Sequence, residues 1–164
     1  MTLLELMIYI TLLTVIGGLV LNIFSFQIVQ WGYARILRDS SDGGKFILDR
    51  LIQEIELARS VETSTSVLNA HPGKLVLNTF ASATSSQEAL LEIFVDNGEL
   101  KIKRGTGPAT SLSGARIEVT QLIFRRISSV KSEMVRVELT VKATSGSYAQ
   151  EQSFVTASVL RGSY

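Results

Sequence analysis

The chain has 164 residues and 16 Lys plus Arg against 15 Asp plus Glu, so it holds one small globular domain beside any anchor. Its near-neutral charge makes no global field to draw nucleic acid or anionic lipid, and leaves nucleic acid open as a partner. With no cysteine and one histidine, neither a disulfide framework, a zinc site nor a Cys/His nucleophile can be built.

The first element is a long apolar run. From Leu6 to Ala34 there is no Asp, Glu, Lys or Arg. A bilayer core of roughly 30 Å needs about 20 apolar helical residues, and this run exceeds that. A core helix of so small a protein would carry polar residues on one face. A secretory signal would have a basic segment in front and a small-residue cleavage site behind. Residues 1–34 therefore read as a membrane-anchoring helix, and they account for the high mean hydropathy of +0.28. Glu5 stands at its front, where the positive end of the helix dipole favours a carboxylate. Ionisable residues at membrane depth mark functional sites by default. Gly17-Gly18 reads either as a surface for close helix packing or as a weak spot, at about 1 kcal/mol per glycine. Trp31 and Tyr33 fall where an interfacial aromatic belt lies, or where neighbouring helices pack.

Residues 35–61 read as an amphipathic continuation of the same helix. Leu37, Ser41, Gly44, Leu48, Leu51, Ile55 and Ala58 recur at helical spacing, with Ile47 and Ile52 widening the stripe. The pairs Arg35–Asp39, Arg38–Asp42, Lys45–Asp49 and Arg50–Glu54 flank Gly43-Gly44 and support continuity. One helix is expected from near residue 2 to about Val61, with a bend at the glycines as an option.

Residues 62–164 then form a β-sheet head. The strand-like runs are 74–80, 89–95, 99–104, 116–127, 134–142 and 152–160, with Ser/Thr/Gly-rich loops at 81–88 and 105–114. Asn97-Gly98 signals a two-residue hairpin, a reading favoured over a calcium loop for "DNGE". In "MVRVELTVK", Val135, Val137, Leu139 and Val141 alternate with polar residues, giving one wet and one buried face. His71-Pro72-Gly73 reads as a surface turn, and alternation puts Arg125 and Arg126 on opposite faces. The fold class is α+β: a long N-terminal helix on an antiparallel sheet of about five or six strands.

The segment "TLLELMIYITLLTVIGGLVL" (2–21), with Glu5 fifth, resembles the N-terminus of a type IV pilin or pseudopilin in its mature form. "RLIQEIELARSV", "LIFRRI" and "SFVTASVLRG" look more loosely like J-type minor pseudopilins and related minor pilins. The chain looks like the leader-processed form, with Met1 where most members have phenylalanine. It has Asn22 where many members have a mid-helix proline, and it cannot form the C-terminal disulfide of many major pilins. Arg35, Arg38 and Lys45 would by charge alone stay inside. The family has the opposite orientation, which the basic leader of a precursor accounts for.

The resemblance implies a structural subunit held in the cytoplasmic membrane and then polymerised into a helical cell-surface filament. Its partners would be further copies, related pilins, a prepilin peptidase and an assembly platform. It implies that Glu5 pairs with the Met1 α-amine of a neighbouring subunit and that Gly17 and Gly18 are candidates for helix melting on assembly. A minor pilin or J-type pseudopilin of a secretion or DNA-uptake system is the runner-up. A bitopic receptor with a permanent anchor is the rival from another class, and it gains nothing from a carboxylate at Glu5. No cofactor and no enzymatic activity are expected.

Overall fold

The computed structural model describes residues 2–82, 85–114, 116–129, 132–145 and 148–161, without the side chains of 28, 29, 81, 82, 85–87 and 148. Helix α1 covers Leu3–Leu57 without interruption, and the chain divides into two units, Met1–Arg35 and Ile36–Tyr164. Strands follow as β1 (Ser60–Val61), β2 (Lys74–Ser82), β3 (Ser85–Asp96), β4 (Glu99–Arg104), β5 (Thr110–Ser111), β6 (Ile117–Ser128), β7 (Glu133–Ser145) and β8 (Tyr148–Val159). The class is α+β, as the pattern of elements predicts.

Three features differ from the sequence reading. First, the helix stops at Leu57, four residues before Val61. The Ala58 N–H turns back to Ile55 O at 3.2 Å, and the Arg59 N–H goes to Asn78 O at 2.8 Å. Ser60 and Val61 then pair with Asn78 and Leu77. Ala58 and Val61 stay in the core, so the periodicity correctly reports burial while the backbone has already changed type.

Second, the strands form two antiparallel sheets, β1-β2-β3-β4-β5 and β6-β7-β8, where one was expected. Both the 81–88 and the 105–114 segments carry strand: β2 runs to Ser82, β3 starts at Ser85, and β5 pairs with Lys101 and Ile102. Asn97 and Gly98 both take positive φ (52° and 77°), as the tight turn between the paired Asp96 and Glu99 requires.

Third, the buried stripe of α1 begins on Ile36 and Ser40, with Leu37 exposed and Ser41 only partly covered. The two readings converge at Gly44, Ile47, Leu48, Leu51 and Ile55. The contact line drifts slowly round the helix, because a straight helix and a twisted sheet do not share one period.

Gly43 and Gly44, the doubtful point for helix continuity, are explained by this packing. A Cβ on Gly43 would lie 1.8 Å from Ile117 Cδ1, and one on Gly44 would lie 2.2 Å from Phe154 Cε2. The glycines let β6 and β8 approach the helix backbone. Below them, Ile47, Leu51 and Ile55 join Leu75, Leu77, Leu91, Ile93, Leu122, Phe124, Val137 and Leu139 in one core. Each such side chain contributes about 1.5–3 kcal/mol by leaving water.

Among the described residues, the buried charges are paired. Glu54 lies on the packed face of α1 at 2 % exposure, with Arg50 and Arg104 each 2.7 Å from one of its oxygens. Two arginines on one carboxylate offset its desolvation, and Arg104 ties β4 to the helix. Glu133 does the same for β1: its carboxylate accepts from the Val61 N–H at 3.3 Å and pairs with Arg126. Arg125 turns to Glu138 instead, at 3.0 Å. Since Arg125 sits opposite Arg136 and Arg126 opposite the buried Val135, the two occupy opposite faces.

The free edge of β6 is closed by turns of the other sheet. Asn69 N–H donates to Phe124 O (2.8 Å), Gly73 N–H to Leu122 O (2.9 Å) and Val119 N–H to Gly98 O (2.7 Å). The Leu122 N–H donates to His71 Nδ1 at 3.1 Å, which gives the histidine of the turn a structural task.

Candidate assembly site on the N-terminal helix

A helix in hydrocarbon must satisfy its polar groups within itself, and three hydroxyls of the apolar stretch do so. Thr11 Oγ1 donates to Met7 O and Ile8 O (3.0 and 2.9 Å), Thr14 Oγ1 to Ile10 O and Thr11 O (2.8 and 2.9 Å), and Ser25 Oγ to Leu21 O (3.0 Å). Side chains from Leu3 to Phe26 are exposed throughout, so none of this apolar surface is used by the chain's own fold. The helix is long and apolar enough to cross a bilayer, with a mean hydropathy of 2.2 over its best 18 residues.

Glu5 lies in the first turn, exposed, and its own N–H bonds to Thr2 O at 3.0 Å. The Leu6 N–H reaches the same carbonyl at 3.2 Å. The free N–H groups of this turn and the carboxylate are therefore close in sequence, the arrangement that the helix dipole favours. Met1, the expected partner residue, lies outside the described residues.

Gly17 and Gly18 sit in unbroken helix, and an added Cβ on either would meet nothing within 4 Å. Among the described residues no contact accounts for them, in contrast to Gly43 and Gly44. The structure thus places Glu5, Gly17 and Gly18 along one exposed helix and does not bring them together.

Among the described residues of the head, two groups have displaced titrations. The Ser64 hydroxyl, 2.6 Å from the Glu62 carboxylate, and then the Ser64 N–H hold Glu62 below the usual carboxylate range. Asp96, 2.5 Å from Lys101 Nζ, raises the lysine above its usual range. Both are local bonds of a turn and a hairpin. Among the described residues, no group of three His, Asp or Glu side chains is placed to hold a metal ion.

Sequence reasoning did not single out the outer edge of β8, whose signal was available: "SFVTASV" has no charge, proline or glycine over seven residues. Comparison with protein-family models, curated proteins and solved structures finds no match to this chain.

Proposed function

We propose that the chain is a structural subunit of a type IV pilus-like filament, held in the cytoplasmic membrane by α1 and polymerised through it to the cell surface. One observation carries the reading: a carboxylate, Glu5, leads a stretch of α1 that has no other charge up to Ala34 and whose apolar side chains from Leu3 to Phe26 the fold leaves uncovered. An anchor that stayed in lipid would be better with leucine there. An assembling helix has a use for it, because an α-amine at Met1 of an incoming subunit neutralises Glu5 of one already in place. In a low-dielectric filament core that attraction is strong, and a slipped register would leave a buried, unpaired carboxylate. The pair thus recruits the subunit and sets its axial position. Further copies and related pilins are the partners, with a prepilin peptidase and assembly platform implied by the sequence resemblance.

A second reading within the same class is a minor pilin or J-type pseudopilin of a type II secretion or DNA-uptake system. The likeness of residues 50–61, 122–127 and 153–162 to that group supports it.

The test expresses native, Glu5→Gln or Glu5→Leu chain as the sole copy and measures sheared surface filaments beside membrane-fraction protein. Both variants are expected to keep membrane levels and lose most filaments. Normal filament yield from Glu5→Leu would refute the mechanism, and the membrane fraction reports insertion separately.

A further inference from the structure

Opposite its packed face, α1 carries a stripe of charges that the fold of the chain does not use. Arg38, Asp42, Lys45 and Asp49 are exposed and lie within about 60° of one another round the helix, on the side away from the buried Ser40, Ile47 and Leu51. All four belong to the unit Ile36–Tyr164. Of the cation–acid pairs spaced four apart on α1, Arg50–Glu54 closes at 2.7 Å. Among the described residues, no ion pair joins Arg35 to Asp39, Arg38 to Asp42 or Lys45 to Asp49, although the spacing would allow all three.

The order within these pairs is constant: the cation comes first and the acid four residues later. Inside one helix that is the weaker orientation, because it sets both charges against the helix dipole. Stability of the lone helix therefore does not account for the pattern.

The same order and spacing stand at the front of the chain, between the Met1 α-amine and Glu5. In the filament reading above, Glu5 of one copy meets the Met1 amine of the next. That contact sets two parallel helices four residues out of step, an axial offset of about 6 Å. Parallel is also the direction that two anchors in one membrane impose. Copies related by one operation keep one offset along their length, so residue n of one copy stands level with n − 4 of the other. Asp42 then meets Arg38 and Asp49 meets Lys45, with Asp39 and Arg35 repeating the match. Other steps oppose like charges. At three residues Asp42 meets Asp39 and Arg38 meets Arg35; at seven, Asp49 meets Asp42 and Lys45 meets Arg38.

Arg38 and Asp42 differ by about 40° round the helix. A pure translation of one copy would leave both pointing to the same side, so the cation of the second helix would face away from the acid of the first. A rotation about a shared axis, added to the rise, turns the two toward each other. Such a contact is heterologous and continues from copy to copy.

We infer that the charged stripe of α1 is an interface for α1 of further copies, and that it fixes the four-residue register a second time, beyond the apolar stretch. The inference rests on the filament reading. Charges at such sites decide register and partner more than affinity, as flanking charges do in coiled coils. One exposed pair contributes little. A reversal does more, because it opposes like charges at every contact along the filament.

The test uses full-length chains that keep Glu5, expressed without a native copy. Arg38→Asp leaves acids at both 38 and 42, and Asp42→Arg leaves cations at both. Each chain alone should keep its membrane level and its β-sheet circular dichroism signal, since neither native side chain has a partner among the described residues. Each alone should lose most surface filaments. Expressed together, the two chains should restore filaments severalfold, because each presents the charge that the other lacks. The pair within each chain stays broken in the mixture, so recovery reports a contact between copies, and mass spectrometry should find both chains in near-equal amounts. Normal filament yield from either chain alone, no recovery from the mixture, or recovered filaments built of one chain would each overturn the interface and leave the Glu5 reading standing. A native chain that forms no filaments would overturn both. Normal assembly of Glu5→Leu, with complementation intact, would overturn the role of Glu5 alone.

Discussion

Gly44→Ala separates two opposing effects that the structure allows us to weigh. In an isolated helix the change would stabilise by about 1 kcal/mol, because glycine loses more backbone freedom on folding. Here the new methyl would fall 2.2, 2.6 and 3.0 Å from three ring carbons of Phe154. Carbon atoms rest at about 3.5–4.0 Å, so the ring must retreat by more than about 1 Å. Phe154 packs against the core and cannot swing freely. Overpacking of this kind costs about 1–3 kcal/mol, leaving a net loss of about 1 kcal/mol. For a unit of this size that is a melting-temperature drop of about 3–5 °C. Gly43→Ala should cost less, because its 1.8 Å neighbour is the terminal methyl of Ile117, which can rotate away. The assay is thermal and urea unfolding of the full chain in detergent, followed by the β-sheet circular dichroism signal. Gly44→Ala combined with Phe154→Leu should recover part of the loss. A Gly44→Ala variant as stable as the native chain would refute the packing argument.

Arg50→Ala or Arg104→Ala alone leaves Glu54 one partner, whereas the double variant strands a buried carboxylate. The double loss should exceed the sum of the singles by roughly 1–3 kcal/mol in a double-mutant cycle, and additivity would refute the shared-partner reading. Gly17→Ala with Gly18→Ala should leave head stability unchanged, since no neighbour opposes the methyls, while lowering filament yield if this stretch unwinds on assembly. A filament map with unbroken helix from Leu12 through Asn22 would rule out the unwinding. Glu62, held below the usual carboxylate range by Ser64, contributes fully above the unfolded carboxyl's pKa, and that contribution fades as pH falls through the folded one. Exchange protection of the Ser64 amide should therefore drop in acid and be pH-independent in Glu62→Gln.

The sequence alone determines the features that rest on local chemistry. An uncharged apolar run of this length reads as a helix long enough to cross a bilayer, and a carboxylate at its head is conspicuous without any coordinates. Asn97-Gly98 specifies its turn because both residues accept positive φ, and the alternation of Val135, Val137, Leu139 and Val141 names the buried face of β7. Other features depended on which segments meet. Alternation reports which side of a strand is dry but not which strand lies beside it, so two sheets read as one. Glu54 looks like any charged helix residue until Arg104, fifty positions away, is placed against it. Gly43-Gly44 looks like a weakness in a helix and is the site of closest approach to Ile117 and Phe154. The helix end at Leu57 was set by Asn78, whose carbonyl takes the Arg59 N–H and starts β1. Propensity and periodicity are sums over neighbours in sequence, whereas register, close approach and buried ion pairs are decided by neighbours in space.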